Sequence, residues 1–173
     1  MYNLVLRPPR LAIFTDASKS AFGGFCAETG AYFRRALTSD EQSRFVGSSK
    51  SVEGVDDISI NVLPEAGNRV QLRGDNEDSV AWIQRCRGGK EPRSSALMRM
   101  LGAIEVSSGW LFQSSHVPGV LNSIADGISR WQPDDVYDNL CAAAPHVRWQ
   151  EVESDEAAHK MCSAVLGSTG GVL

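Results

Sequence analysis

The stretch LAIFTDASKSAFGGFCAETGAYFRRAL, residues 11–37, contains three short apolar runs that are separated by polar turns. The first run ends in Asp16, and the turns fall at residues 18–20 and 29–30. Short apolar runs joined by turns of this kind are typical of β-strands that pair antiparallel. We therefore predict a meander of three strands, with Asp16 at the end of the first.

Two more strands and three helices are predicted beyond this meander. Residues 69–73 alternate with a period of two, and residues 110–116 form a fifth strand-like run that ends in a histidine. Helical patterns occupy residues 78–85, residues 94 to about 106, and residues 120–131. With five strands and three helices in one chain, the sequence predicts an α/β fold.

Composition and charge divide the chain into three parts. The chain has 173 residues, of which 42% are hydrophobic and 22% are charged, and this suits one globular domain. Residues 1–132 hold 15 Lys/Arg and 14 Asp/Glu, whereas residues 133–173 hold 2 and 7. We therefore predict an N-terminal extension (1–10), a domain over 11–132, and an acidic C-terminal appendage (133–173).

The sequence also indicates where the protein works. No run of about 18 apolar residues is present, so we expect no membrane insertion. Arg7 and two prolines interrupt the N-terminal segment, where a signal peptide needs an unbroken apolar stretch. We therefore expect an intracellular protein, in the cytosol, the nucleus or an organelle matrix, that is not secreted.

Three aspartates stand at positions from which their side chains could converge. Asp16 and Asp75 each follow a predicted strand, and Asp126 lies on the closing helix. Carboxylates from different elements repel one another unless a cation lies between them, and Mg²⁺ or Mn²⁺ suits such hard oxygen ligands. Two such ions about 4 Å apart would stabilise the attacking water and the leaving oxygen of a phosphodiester. Taken singly, Asp16 could cap a turn, Asp75 could cap a helix, and Asp126 could simply face solvent.

Four parts of the chain resemble the ribonuclease H domain of retroelement reverse transcriptases, especially the DIRS-like and Ty3-like groups. The most specific is HVPGVLNSIADGISR, residues 116–130, which resembles the closing motif of that family almost position by position. The others are FTDAS with the GG pair that follows it, INVL, and LRGDN with SVAWI, which begin at residues 14, 60 and 72. The resemblance covers about residues 11–131.

This resemblance implies a ribonuclease H-like fold, in which a mixed five-stranded sheet has its first three strands antiparallel and helices on both faces. It also implies a site of four carboxylates, three of which map to Asp16, Asp75 and Asp126 and would bind Mg²⁺ or Mn²⁺. His116 maps to a loop histidine that assists proton transfer or product release in the family, although it could instead make a structural hydrogen bond only.

The fourth carboxylate is where the sequence departs from the family pattern. The family glutamate should follow the INVL segment and open a long helix, but here Pro64 comes first and Glu65 second. Four residues separate Glu65 from Val70 of the next strand, and Pro64 disfavours a helix there. Glu65 could reach the site from a loop, Glu41 or Glu53 could replace it, or the fourth ligand could be absent.

A basic segment begins where the first predicted helix ends. Five positive charges fall within fifteen residues there, and a GG pair makes a loop within the segment. Such a segment could neutralise the phosphates of a nucleic-acid backbone, or it could be an ordinary solvated surface. The five residues are Arg85, Arg87, Lys90, Arg93 and Arg99.

Two functions follow from these observations. The leading prediction is a ribonuclease H-type endonuclease that cleaves the RNA strand of an RNA–DNA hybrid. The alternative is a catalytically degenerate domain that serves as a structural or RNA-binding subunit of a larger organellar or ribonucleoprotein complex. In that case other protein subunits would cover the sheet face and order the C-terminal tail. A DNA-cleaving, resolvase-like nuclease is a third hypothesis.

Overall fold

The computed structural model describes residues 9–39, residue 42, and residues 69–85 and 92–152, with the side chains of residues 92–94, 96, 97 and 108 left aside. The strands are β1 (Leu11–Ala17), β2 (Ala21–Cys26), β3 (Ala31–Ala36), β4 (Arg69–Gly74), β5 (Leu111–His116) and β6 (Gln150–Glu151). The helices are α1 (Glu77–Gln84), α2 (Pro92–Ser108), α3 (Ser123–Arg130) and α4 (Val136–Ala143). Two short 3₁₀ turns span Gly119–Leu121 and Pro133–Asp135.

The first three strands form the antiparallel meander that their turns predict. β1 pairs with β2, with Phe14 opposite Phe25, and β2 pairs with β3 along its whole length. Ser18 closes the first turn, because its side-chain oxygen accepts a hydrogen bond from the backbone N–H of Ala21 at 3.1 Å. Gly30 closes the second with a φ of 72°, a backbone conformation that side chains disfavour.

The full sheet has the strand order β5-β4-β1-β2-β3-β6. β4 lies parallel to β1 and β5 lies parallel to β4, so the carboxyl ends of these three strands meet at one edge. This arrangement confirms the predicted α/β class and the mixed sheet flanked by helices.

The predicted count of five strands is wrong, because the described residues form a sixth. β6 lies parallel to β3, with the N–H of Gln150 donating to the carbonyl of Gly30 and that of Val152 to Tyr32, both at 2.8 Å. A sheet edge exposes unpaired backbone groups, and β6 pairs with the first two residues of β3, Ala31 and Tyr32. A strand of two residues leaves no alternating pattern in the sequence, which is why periodicity alone misses it.

Helices cover both faces of the sheet, because neighbouring residues of a strand point to opposite sides. On one face, Ile13 of β1 packs in a core cluster with Ile83 of α1 and Leu101 of α2. On the other face, Phe14 stacks on Phe25 with ring centroids 5.0 Å apart, next to α3 and α4. The carboxyl edge therefore lies between two packed layers.

Residues 133–152, which the sequence analysis assigns to the appendage, contribute to the second layer. Val136 and Leu140 of α4 and Trp149 before β6 are all buried in the cluster that includes Ile128 of α3. The indole N–H of Trp149 donates to the carbonyl of Leu140 at 3.1 Å. This packing holds α3, which carries one of the predicted acids, between the sheet and α4.

Candidate active site

Four of the predicted site residues lie on elements that meet at the carboxyl edge of the sheet. Asp16 is the penultimate residue of β1, Asp75 directly follows β4, and His116 ends β5 beside Gly74. Helix α3 packs against β1 and β2 and carries Asp126 in its first turn. Segments that are distant in sequence thus converge through the parallel pairing of three strands and the packing of one helix.

Asp16 is a buried carboxylate whose surroundings disfavour its charge. Only 9% of its surface is exposed, and burial raises its pKa from the usual 3.8 to about 6. The Ser129 hydroxyl opposes this shift by donating to Asp16 Oδ2 at 2.9 Å, while the negative charges of Asp75 and then Asp126 raise the pKa further. The three carboxylates therefore interact electrostatically across the edge.

Asp75 is exposed and is not the cap of the helix that follows it. The cap of α1 is Asn76, whose side-chain oxygen accepts a hydrogen bond from the N–H of Ser79 at 3.1 Å. A β-carbon placed on Gly119 would lie 3.5 Å from Asp75 Oδ2, so the first 3₁₀ turn passes close to this carboxylate. The helix cap expected at this point of the sequence, from Asp75 or Asn76, is therefore Asn76, and the Asp75 carboxylate lies exposed at the edge.

Asp126 forms an ion pair with Arg130, one helical turn later on α3. The pair lies at the surface, with 61% of the Arg130 side chain and 45% of the Asp126 side chain exposed. Arg130 also lines the same cleft as the other two acids. Asp126 therefore raises the pKa of Asp16 through its charge, while its own carboxylate is paired with the guanidinium of Arg130.

A cleft of about 110 Å³ opens between β1, β4 and α1. Its polar rim includes Asp16, Asp75 and Arg130, and its apolar wall includes Val80 and Ile83 of α1. The cleft is also lined by Arg73, so two carboxylates and two guanidinium groups meet there and could receive either a cation or a phosphate group.

Of the three predicted acids, Asp16 and Asp75 line the cleft. Among the residues that the structure describes, no group of three or more His, Cys, Asp and Glu side chains is arranged to hold a metal ion. Asp16 and Asp75 nevertheless line one cleft, and burial, followed by the negative charges of Asp75 and Asp126, raises the pKa of Asp16 there. Two hard oxygen ligands and water are a normal environment for Mg²⁺, which keeps several of its waters in proteins.

Three polar residues that the sequence analysis does not single out hold the edge together. The Asn122 side-chain N–H donates to the carbonyl of Thr15 at 3.0 Å, with 2% of Asn122 exposed, and ties the start of α3 to β1. The Ser18 hydroxyl donates to the carbonyl of Ser129 at 2.9 Å, and Ser129 in turn contacts Asp16. Both Asn122 and Ser129 lie within the HVPGVLNSIADGISR segment, so the motif itself could have pointed to these two residues.

The structure describes some of the remaining predicted site residues and not others. His116 is exposed at the end of β5, and Arg85 and Arg99 are exposed at the end of α1 and on α2. Arg87, Lys90, Glu65, Glu41 and Glu53 lie outside the described residues, as does the side chain of Arg93. The predicted fourth carboxylate and most of the predicted basic segment therefore remain predictions.

Comparison with known proteins gives no relative for this chain: no family model, no curated protein and no solved structure matches it. Within the described ranges, no helix combines the length and the apolar character that crossing a bilayer requires. What the chain does must therefore be inferred from its motifs and from the chemistry of the carboxyl edge.

The buried charge of Asp16 predicts a pH-dependent stability. Between about pH 4 and pH 6 the folded chain holds a proton that the unfolded chain has lost, so stability falls as pH rises through this window. Above it, Asp16→Asn should stabilise the protein by about 1 kcal/mol, because the amide removes the buried charge and can still accept from Ser129. Urea unfolding from pH 4 to pH 8 measures the effect, with the exposed Asp138→Asn as the control. If the difference in free energy of unfolding between Asp16→Asn and the wild type stays constant from pH 4 to pH 8, the prediction is wrong.

Proposed function

We propose that the chain folds as a ribonuclease H-like domain of retroelement descent that cleaves the RNA strand of an RNA–DNA hybrid with Mg²⁺ or Mn²⁺. The observation that carries the proposal is the position of Asp16 and Asp75 on one cleft, at the ends of two adjacent parallel strands, where the charge of Asp75 adds to burial in raising the pKa of Asp16 to about 6. The antiparallel meander and the helices on both sheet faces agree with the fold that the sequence resemblance implies.

Each acid has a distinct role in this proposal. Asp16 and Asp75 hold the metal, and the Ser129 hydrogen bond to Oδ2 of Asp16 orients that carboxylate so that its other oxygen can serve as a ligand. Bound divalent ions would activate the attacking water and stabilise the leaving oxygen of the phosphodiester. Asp126 adds negative charge at the edge, and its carboxylate joins the site when Arg130 releases it.

His116 and the exposed arginines complete the proposed site. His116 lies at the end of β5, on the solvent side of the same edge, where an imidazole can pass a proton to or from the departing strand. Arg85 and Arg99 are exposed on the two helices of one layer and would contact backbone phosphates without reading the base sequence.

This proposal is tested by incubating the full chain with an RNA–DNA hybrid whose RNA strand carries an end label. Short labelled RNA should appear with Mg²⁺ and be absent with EDTA, while the same RNA in single-stranded form should be cut far more slowly. A DNA duplex or branched DNA in parallel reactions tests the resolvase-like hypothesis. Cleavage of the DNA substrates alone would contradict the hybrid specificity, and metal-independent cleavage would contradict the proposed role of the acids.

A second candidate is a domain that keeps the fold and binds RNA without cutting it, as a subunit of a larger complex. The observation that favours it is the Asp126–Arg130 ion pair, which leaves two of the three mapped aspartates on the rim of the cleft. In that case the chain should bind RNA or hybrid with similar affinity in Mg²⁺ and in EDTA, and should cleave neither. Cleavage that depends on Asp16 and Asp75 would exclude this candidate.

A further inference from the structure

Arg130 occupies an unusual position among the charged residues of the carboxyl edge. It ends α3, pairs with Asp126, and lines the cleft that Asp16 and Asp75 also line. Asp126, and at longer range Asp16 and Asp75, raise the pKa of Arg130, so the guanidinium stays charged under all ordinary conditions. A permanent positive charge therefore lies within reach of all three carboxylates.

The second guanidinium on this cleft belongs to Arg73, whose side chain is less exposed than that of Arg130 and packs on an aromatic ring. It lies over the Phe14 ring at 5.2 Å from the centroid and donates to the side-chain oxygen of Gln71 at 3.2 Å. Arg130, in contrast, has 61% of its side chain exposed and donates to the carboxylate of Asp126. Arg130 is therefore the guanidinium on this cleft that can change partners.

The Asp126–Arg130 pair is one that a stronger cation can displace. Exposed ion pairs contribute little net stability, because solvent screens them and holding two long side chains costs entropy. A divalent ion between Asp16 and Asp75 would carry twice the charge of Arg130 and would repel it. The released guanidinium would remain on the rim of the cleft, where a backbone phosphate of a bound strand offers it a bidentate partner.

We propose that Arg130 is the built-in counter-ion of the acidic edge, which releases Asp126 when a divalent cation binds and then contacts a phosphate of the bound nucleic acid. This inference rests on the proposed metal site. Arg130 then has opposite effects on two partners: it competes with the metal ion in the free protein and attracts the phosphate in the loaded one. A residue with a purely structural role would not lower the affinity for the metal ion and at the same time raise the affinity for the phosphate.

The competition between Arg130 and the metal ion is tested by measuring Mn²⁺ binding to the full chain without nucleic acid. Electron paramagnetic resonance reports the concentration of free Mn²⁺ and thus the affinity. Arg130→Gln should bind Mn²⁺ about two- to fivefold more tightly than the wild type, since a competing charge has been removed. The control is Arg148→Gln, which removes an exposed charge before β6 and should leave the Mn²⁺ affinity unchanged. Equal or weaker Mn²⁺ binding by Arg130→Gln would overturn the inference.

The second half is tested by the salt dependence of binding to a fluorescent hybrid in Ca²⁺, an oxygen-liganded ion of the same charge. The slope of log affinity against log salt should be smaller by about one for Arg130→Gln than for the wild type, as expected for one lost phosphate contact. In EDTA the slopes of the wild type and of Arg130→Gln should agree. Different slopes in EDTA, or equal slopes in Ca²⁺, would overturn the inference. A wild type that binds no Mn²⁺ would overturn the metal site as well, so the two failures are distinguishable.

Discussion

Asp75→Asn is expected to abolish Mg²⁺-dependent release of RNA fragments from a hybrid, lowering the rate by about a hundredfold or more. The amide keeps the size of the side chain but removes the charge that would hold the ion, and metal stabilisation of phosphodiester cleavage is worth several kcal/mol. Because Asp75 is exposed and Asn76 caps α1, the substitution should leave the fold intact. Gel analysis of end-labelled RNA measures the rate.

The control for this variant is Asp138→Asn, which removes one exposed acid from the first turn of α4. It should cleave at the wild-type rate, since Asp138 is not among the residues that line the cleft of Asp16 and Asp75. Asp75→Asn should be at least as stable as the wild type in urea, because it removes a charge that repels the buried Asp16 carboxylate. Wild-type cleavage by Asp75→Asn would show that the activity does not depend on the carboxyl edge.

Gly23→Ala is expected to destabilise the fold by about 1–3 kcal/mol, the usual cost of forcing extra volume into a packed interface. A β-carbon on Gly23 would lie 2.6 Å from Ile128 Cγ2 and 2.8 Å from the backbone nitrogen of Ser129. The backbone of α3 cannot yield as a side chain can, so the helix would have to move away from β2. That movement would also weaken the contact between Ser129 and Asp16, which β2 and α3 hold together.

The matched control is Gly102→Ala on α2, where a β-carbon would meet no atom within 4 Å. Alanine favours a helix over glycine, so this variant should gain about 0.5–1 kcal/mol. Urea unfolding of the two variants should therefore shift in opposite directions. Equal shifts, or a Gly23→Ala protein as stable as the wild type, would mean that α3 does not pack against β2 as closely as described.

The sequence predicts the central elements of the fold well because their signals are local. The apolar runs at residues 11–37 specify the meander, and the i, i+3, i+4 pattern specifies α2. β6 is missed because its pairing depends on the exposed edge of β3 and not on its own two residues. The predicted closing helix over 120–131 begins later, at Ser123, because residues 119–121 form a 3₁₀ turn after Pro118.

The candidate site is predictable in its acids but not in its contacts. Asp16, Asp75 and Asp126 follow from strand ends and a motif, and the i, i+4 spacing of Asp126 and Arg130 is a recognised helical ion-pair pattern. The hydrogen bond from Ser129 to Asp16 joins residues 113 positions apart, and it depends on how α3 docks on the sheet. Local patterns carry no information about such a contact.

The most direct test of the account is a crystal of the full chain soaked in Mn²⁺ and measured at the manganese absorption edge. We expect an anomalous peak between the carboxylates of Asp16 and Asp75, with metal–oxygen distances of about 2.0–2.3 Å. We also expect that the guanidinium of Arg130 has left Asp126 in that crystal. A peak elsewhere, or an edge that binds no manganese and keeps the Asp126–Arg130 pair, would contradict the proposed metal-dependent function.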